Sequence, residues 1–586
     1  MAEPTTGSDV FALLEKKYGV IDPLTHPLVA RVQKIFVRVQ DAADKRGNRM
    51  PRLSVLNRPE VPWAFALPDG NIILSLGAVR LCYRSVTQAE GDTRIAFVLG
   101  HELAHLTKND FWEMEVYQAI AGSGQSGDSR SLTVPEELRQ RQAVLWNQET
   151  EADDLGFLYA GIAGYPVQTL LVHEDKSREN FFSLWNQQAR GDPTLRDLHP
   201  PPDRRAAFLR GRLDRLTRSM AFFRFGMRLA ALGHCEQAIL LFRHFLQVFP
   251  SREVFNNLGA CHLQRARKGL EATATGGSAY WLPLLFDAST RAEILTAGQP
   301  IHLREEPLPL PPVLPDKTGH ELEQAVDYLE QAVTMDATYL PARLNLATVH
   351  FYRGEMLKAR SVVKEALRLA PNSRDVAGWH ALIFFLDSQE NGLGAAALPS
   401  LTRLASQGDA PASLIYNHAV LTRELGKNNR SNWRRLAALL TPLPARYARM
   451  ACQMAKVSCP AAQTSQEKRF PWPLPVQPGA DLDTGAREKL FSGWLVTPLG
   501  WLEEKQPGIA YRRGEDLEVL DRDGYVAMVV LRGGILGTTQ LLKKKMGNPT
   551  HVRPMAEGEL WSYGDQWAVL VRDGRLREAW VVGNKP

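Results

Sequence analysis

The sequence predicts an α+β domain over residues 1–210, then a mostly α-helical solenoid, then a small β-rich module over residues 488–586. Three observations carry this prediction. Helix-period apolar segments bracket a hairpin turn near the N-terminus, a helical unit repeats with a period of 34 beyond residue 317, and the C-terminal segment changes to short β-branched runs.

Length and composition narrow the class of protein. A chain of 586 residues is too long for one domain, and 44% hydrophobic with 23% charged residues is ordinary for a globular protein. A net charge of +6, with Lys543-Lys544-Lys545 as the one basic block (read as a solvated face), gives no case for a nucleic-acid partner, and none is expected. No apolar run of about 18 residues exists, so no membrane span is expected. The five cysteines form no CxxC and no zinc-ribbon spacing. Cys452 and Cys459 can pair only where the helix breaks between them, because seven helical residues would hold them roughly 10 Å apart. Unpaired cysteines are the expectation. MAEPTTGSDVF has neither a basic n-region nor an apolar h-region, so the chain is expected to be cytoplasmic, or periplasmic if a leader has been removed.

In chain order, residues 9–45 read as one or two amphipathic helices ending at Gly47. Apolar runs then flank Pro68-Asp69-Gly70-Asn71, so Trp63–Leu67 and Ile72–Leu76 are expected as two strands of a small sheet. Ile95–Leu106, IAFVLGHELAHL, is a helix on which His101 and His105 lie one turn apart on one face. Two imidazoles so placed can hold one Zn2+, and Glu102 between them can take a proton from water at the metal. Without a metal these polar groups would sit half-buried on an apolar helix, which is costly. Residues 121–134 are Gly/Ser-rich and read as a mobile loop bordering the site. The helix after it runs to the Gly164-Tyr165-Pro166 stop and carries Glu149 and Asp153 on one face. Lys108 and Phe111 occupy the Gly and His places of an HExxHxxGxxH pattern, so the third ligand comes from elsewhere, and Glu149 is its natural source. Asp153 then accepts the outer N–H of a ligand histidine. Glu151 competes with Glu149 but lies on a different helix face from Asp153.

HELAH followed by ETEAD resembles the signature of the M48 (Ste24-like) metallopeptidases, HExxH…ExxxD. AFALPDGNIILSLGAV resembles that family's edge-strand segment, with Trp63 where the family has Asn. His199-Pro200 with Arg205 resembles its HPxxxxR element, so the resemblance spans residues 25–210. It implies a zincin-like α+β fold and one zinc held by His101, His105 and Glu149. It also implies that Arg205 stabilises the oxyanion of the tetrahedral intermediate and that His199 lines the zinc site, filling the fourth position when substrate is absent.

Residues 211–270 and 317–460 read as stacked helix pairs. Ala325 aligns with Ala359, Leu329 with Val363 and Ala332 with Ala366, a pattern that resembles the tetratricopeptide repeat and implies protein partners. Residues 271–316 are a Pro/Gly-rich extended insertion and 461–487 a linker. Asp523-Gly524 and Asp573-Gly574 mark hairpin turns in the last module, part of which resembles small envelope lipoprotein modules of the BamE/SmpA type. The combination is similar to the periplasmic M48-TPR proteases, and that resemblance implies a zinc metalloendopeptidase acting on misfolded protein clients in bacterial envelope quality control. A client-holding scaffold, or an envelope assembly factor with a latched zinc site, is the alternative.

Overall fold

The computed structural model describes residues 7–43, 51–111, 141–171, 180–188, 199–272, 280–297, 318–388, 397–427, 430–439, 445–457, 470–499, 508–514, 516–522, 525–533, 536–555, 558–564 and 566–583. The expected loop at 121–134, the Asp523-Gly524 turn, Cys459 and parts of the insertion and linker lie outside them. The chain forms two compact units. The first comprises Met1–Arg218 and a segment beginning at Thr290, and the second holds Ser219–Ser289 and the remainder.

In the first unit, α1 (Gly7–Tyr18) and α2 (Pro27–Ala42) precede a three-stranded sheet. α2 begins on Pro27 after His26, whose Nδ1 accepts the Val29 N–H, and it buries Val29, Val32, Ile35, Phe36 and Val39 along one stripe. The strands β1 (Arg52–Leu56), β2 (Ala64–Ala66) and β3 (Asn71–Ser75) lie in the order β1-β3-β2, with β1 parallel and β2 antiparallel to β3. The turn between β2 and β3 closes with a 2.8 Å hydrogen bond from Leu67 N to Asn71 O, and Gly70 takes φ 94°. The sequence predicts two strands here. The third, β1, supplies the second hydrogen-bonding neighbour that a strand buried along its whole length needs.

Next come α3 (Leu76–Cys82) and α4 (Gln88–Lys108). α4 starts on a reciprocal capping box between Thr87 and Glu90, and stops at Asn109 in the left-handed conformation. α5 (Gln142–Ile162) ends before Gly164, at φ 91°, and α6 (Phe181–Gln188) follows a single 3-10 turn. A continuous helix α7 (Pro202–Ala231) runs through residue 210, so the expected boundary there is not a break in the backbone.

The second unit continues with α8 (Cys235–Val248) and α9 (Arg252–Ala272). Residues 280–289 then run without helix or strand, and the segment from Thr290, which belongs to the first unit, forms a short helix α10 (Ala292–Thr296) where the sequence predicts an insertion extended throughout. Helices α11 (Thr318–Met335), α12 (Leu340–Tyr352), α13 (Met356–Leu369), α14 (Arg374–Ser388), α15 (Ala397–Ser406), α16 (Ala412–Glu424), α17 (Arg430–Ala437) and α18 (Ala445–Ala455) complete the array. The aligned repeat positions are all fully buried: Ala325, Leu329 and Ala332 on α11, Ala359, Val363 and Ala366 on α13. The alanines at four of those positions let neighbouring helices close on each other.

One expectation is overturned here. Cys452 is disulfide-bonded, whereas Cys82, Cys235 and Cys261 are free and buried. α18 stops at Ala455 and Lys456 turns left-handed at φ 55°, so the helix that would hold Cys452 away from Cys459 does not continue.

After α19 (Thr484–Leu490), eight strands form one antiparallel sheet: β4 (Leu495–Leu499), β5 (Gly508–Arg513), β6 (Leu517–Arg522), β7 (Tyr525–Arg532), β8 (His551–Met555), β9 (Gly558–Ser562), β10 (Trp567–Arg572) and β11 (Arg575–Val582). The order is β4-β5-β6-β7-β11-β10-β9-β8, with α20 (Thr539–Met546) between β7 and β8. Asp573 and Gly574 both take positive φ, 53° and 70°, the two-residue hairpin geometry that matches strand twist. Arg228, near the end of α7, reaches Glu518 of β6 and Glu578 of β11, each at 3.2 Å. Arg532 of β7 bonds the same two carboxylates at 2.6 and 2.7 Å. Buried charges persist only when paired, and these four side chains satisfy one another.

Candidate metal centre

Two helices place the site, and two glycines set how closely they approach. A Cβ on Gly156 of α5 would sit 2.8 Å from His101 N, and one on Gly100 of α4 would sit 2.8 Å from Gly156 O. Glycine at both positions therefore lets the backbones touch. Two turns before Gly156, Glu149 projects between the histidines of α4.

His101 Nε2 lies 3.5 Å and His105 Nε2 3.3 Å from the Glu149 carboxylate, and the two Nε2 atoms are 3.1 Å apart. The donor atoms of these three buried residues all lie within 4.8 Å of one another, a group that can hold a metal ion. Two imidazoles and one carboxylate are the ligand chemistry of a hydrolytic zinc site, which keeps one position open.

A second layer orients the donors. Asp153 Oδ1 is 3.0 Å from His101 Nδ1, and Asp110 Oδ2 is 3.2 Å from His105 Nδ1. Each carboxylate accepts the outer N–H, so each Nε2 lone pair faces the cluster. Arg205 donates Nε and Nη2 to Asp153 at 2.7 and 2.5 Å, and its guanidinium also lies over the Phe182 ring, 4.9 Å from the centroid. His199 Nδ1 is 2.6 Å from Glu149 Oε2. Glu102, buried between the histidines, lies close enough for its charge to act on both His105 and Arg205.

The electrostatics come from burial and from these partners. Burial raises the Glu149 carboxyl, but the neighbouring His199, His101 and His105 outweigh it and hold the group well below the usual carboxylate range. Burial lowers both imidazoles, yet Glu149 and Asp153 raise His101, and Asp110 and Glu149 raise His105. Against its burial, Asp153 is held low by Arg205.

The structure thus brings together His101, Glu102, His105, Glu149, Asp153, His199 and Arg205. Arg205 sits on Asp153, a layer behind the donors, and His199 sits on Glu149. Glu151 is apart from the cluster, paired with Lys108 at 2.9 Å. Sequence reasoning missed Asp110. Its place five residues after His105, past the helix end, was the available signal, because Asn109 in the left-handed conformation turns the chain back onto the ring.

Comparison with known proteins agrees with this geometry. Residues 28–213 match the family model of peptidase family M48, and residues 320–383 match a tetratricopeptide repeat model. No curated protein matched the chain. Similar solved structures include a human IFIT1 dimer with m7Gppp-AAAA, at 13% identity and TM-score 0.26, over 65% of this chain and 84% of that one. TTC0263, a thermophilic tetratricopeptide repeat protein of Thermus thermophilus, matches at 22% identity and TM-score 0.19, over 35% of this chain and 99% of its own. At these values neither structure carries an argument. Residues 28–213, holding a buried pair of helix-borne histidines against a glutamate, are a peptidase family M48 domain with tetratricopeptide repeats C-terminal to it.

Proposed function

We propose that the chain is a zinc metalloendopeptidase whose repeats deliver protein clients, acting in quality control of the bacterial envelope. The observation that carries this reading is the convergence of His101, His105 and Glu149 on one buried point. Zinc bound there would supply a Lewis acid that polarises the scissile carbonyl and acidifies the attacking water. Glu102 takes the proton of that water and returns it to the leaving amine. Asp153 and Asp110 hold the two imidazoles in the ligating tautomer, and Arg205 keeps Asp153 ionised. Of its donors, those not spent on Asp153 remain for the developing oxyanion. Within the three-stranded sheet β2 is an edge strand, which suits it to receive an extended substrate by strand addition. The disulfide at Cys452 supports an oxidising compartment, as the envelope reading requires.

The test is casein cleavage by the wild type and Glu102→Gln, with zinc content measured on both. Equal zinc with cleavage lost in Glu102→Gln is the expected result. Cleavage retained in that variant would refute the assigned base.

One contact favours a second reading, a client-holding scaffold with a latched site. His199 engages Glu149 at 2.6 Å, a carboxylate the metal also needs. On the peptidase reading this latch opens, so His199→Ala raises cleavage. Wild type and His199→Ala both carrying zinc but neither cleaving would favour the scaffold.

A further inference from the structure

Residues 280–287, Tyr-Trp-Leu-Pro-Leu-Leu-Phe-Asp, cross three helices of the repeat array, and buried asparagines hold the segment by its backbone. Asn417 of α16 accepts the Trp281 N–H at 2.7 Å and donates to the Trp281 carbonyl at 2.8 Å. Asn345 of α12 treats Leu285 the same way, at 3.0 and 2.8 Å, and Asn257 of α9 treats Asp287 the same way, at 2.8 and 2.8 Å. Asn256, also on α9, adds a 2.9 Å bond to the Leu285 carbonyl and accepts from Asn345.

The register is informative. Residues 281, 285 and 287 lie on one edge of an extended chain, where the N–H and C=O of every second residue point the same way. The remaining position on that edge is Pro283, which has no N–H to offer. The clamps therefore fall on the positions that can use them. A buried primary amide is costly unless both its donor and its acceptor are satisfied, and here three amides from three helices are each satisfied by a single residue's backbone pair. Burying an extended backbone requires partners for its N–H and C=O groups, and the clamps supply them. Leu282 and Tyr280, both buried, add apolar contact, and Trp281 stacks on Tyr447 with ring centroids 5.0 Å apart. Paired amide clamps read a peptide backbone whatever side chains it bears.

We propose that the asparagine ladder of α9, α12 and α16 is a binding site for an extended, leucine- and aromatic-rich polypeptide segment of a client protein, and that residues 280–287 are its resident occupant, displaced when a client binds. The site is separate from the metal centre and does not depend on whether that centre cleaves. Because the resident segment belongs to the same chain, a free peptide competes with an intramolecular ligand and binds the intact protein weakly.

The test uses the full chain carrying Glu102→Gln and a fluorescent peptide copying residues 280–287, read by anisotropy. Adding Leu285→Pro to the protein, which removes the N–H that Asn345 accepts, should tighten peptide binding roughly tenfold or more. A peptide N-methylated at the residue equivalent to Leu285 should bind roughly fivefold more weakly than its parent. The chain without Leu285→Pro gives a readout that needs no destabilised variant. Excess parent peptide should speed hydrogen exchange at Trp281, Leu285 and Asp287, and the N-methyl peptide at the same concentration should speed it less. Equal binding of the two peptides, or exchange rates unmoved by the parent peptide, would overturn the proposal.

Discussion

Asp153 is one-tenth or less exposed, accepts from a ligand histidine, and is itself held by a two-pronged arginine. On the proposed reading, that chain of contacts would make the zinc affinity depend on a residue that does not touch the metal. Asp153→Asn should weaken zinc binding roughly 10- to 100-fold, the usual cost of removing such a partner, read by competition with a chromophoric chelator. Asp110→Asn should do the same through His105, and zinc affinity unchanged in both variants would refute the orienting role. The sequence showed Asp153 because helical spacing places it beside Glu149. Asp110 was hidden because its contact depends on a left-handed residue beyond a helix end, which no periodicity encodes. For Arg205, family resemblance pointed to the oxyanion, while the physical need of a buried carboxylate for a cation places two of its donors on Asp153.

At the level of elements, the site exists because α4 and α5 meet at Gly100 and Gly156. Gly156→Ala would drive a methyl group against the His101 backbone, so it should cost on the order of 1–3 kcal/mol in thermal or denaturant unfolding and weaken zinc binding with it. A variant as stable as the wild type would show that the helices have room to separate. The helices and the β2–β3 hairpin were legible from apolar period and turn residues, but β1 and its parallel pairing were not, since short runs do not declare their partners. In the second unit two acid transitions are expected. Burial lowers His244 to about 4 from 6.5, so the stability tied to its neutral form is complete above 6.5 and lost as pH falls toward 4. Glu518 is lowered to about 2 from 4.5; burial raises it, but Arg228, Arg532 and Arg224 prevail. Its contribution is complete above 4.5 and lost as pH falls toward 2. Urea unfolding between pH 7 and 3, tracked by tryptophan fluorescence, should show stability falling in both windows, and His244→Phe should flatten the upper one alone. An unchanged upper limb in that variant would assign the loss elsewhere.

Across the whole molecule, a period of 34 sufficed to predict the repeats, because the six aligned residues, four of them alanine, are all fully buried between helices. The period could not show that part of the Pro/Gly-rich insertion returns to the array as an extended segment clamped by its asparagines, since backbone recognition leaves no pattern in the side chains of the segment recognised. Nor could it show that α7 and the C-terminal sheet share the cluster of buried Arg228 and Glu518 with half-buried Arg532 and Glu578, whose members are separated by hundreds of residues in part. The proposed chemistry nonetheless depends on three donors holding one metal. The most direct measurement is zinc stoichiometry by elemental analysis after equilibrium dialysis, on the wild type and on Glu149→Gln. One zinc per chain in the wild type, with occupancy sharply reduced in Glu149→Gln, is the predicted result. No zinc in the wild type, or full occupancy in the variant, would contradict the account.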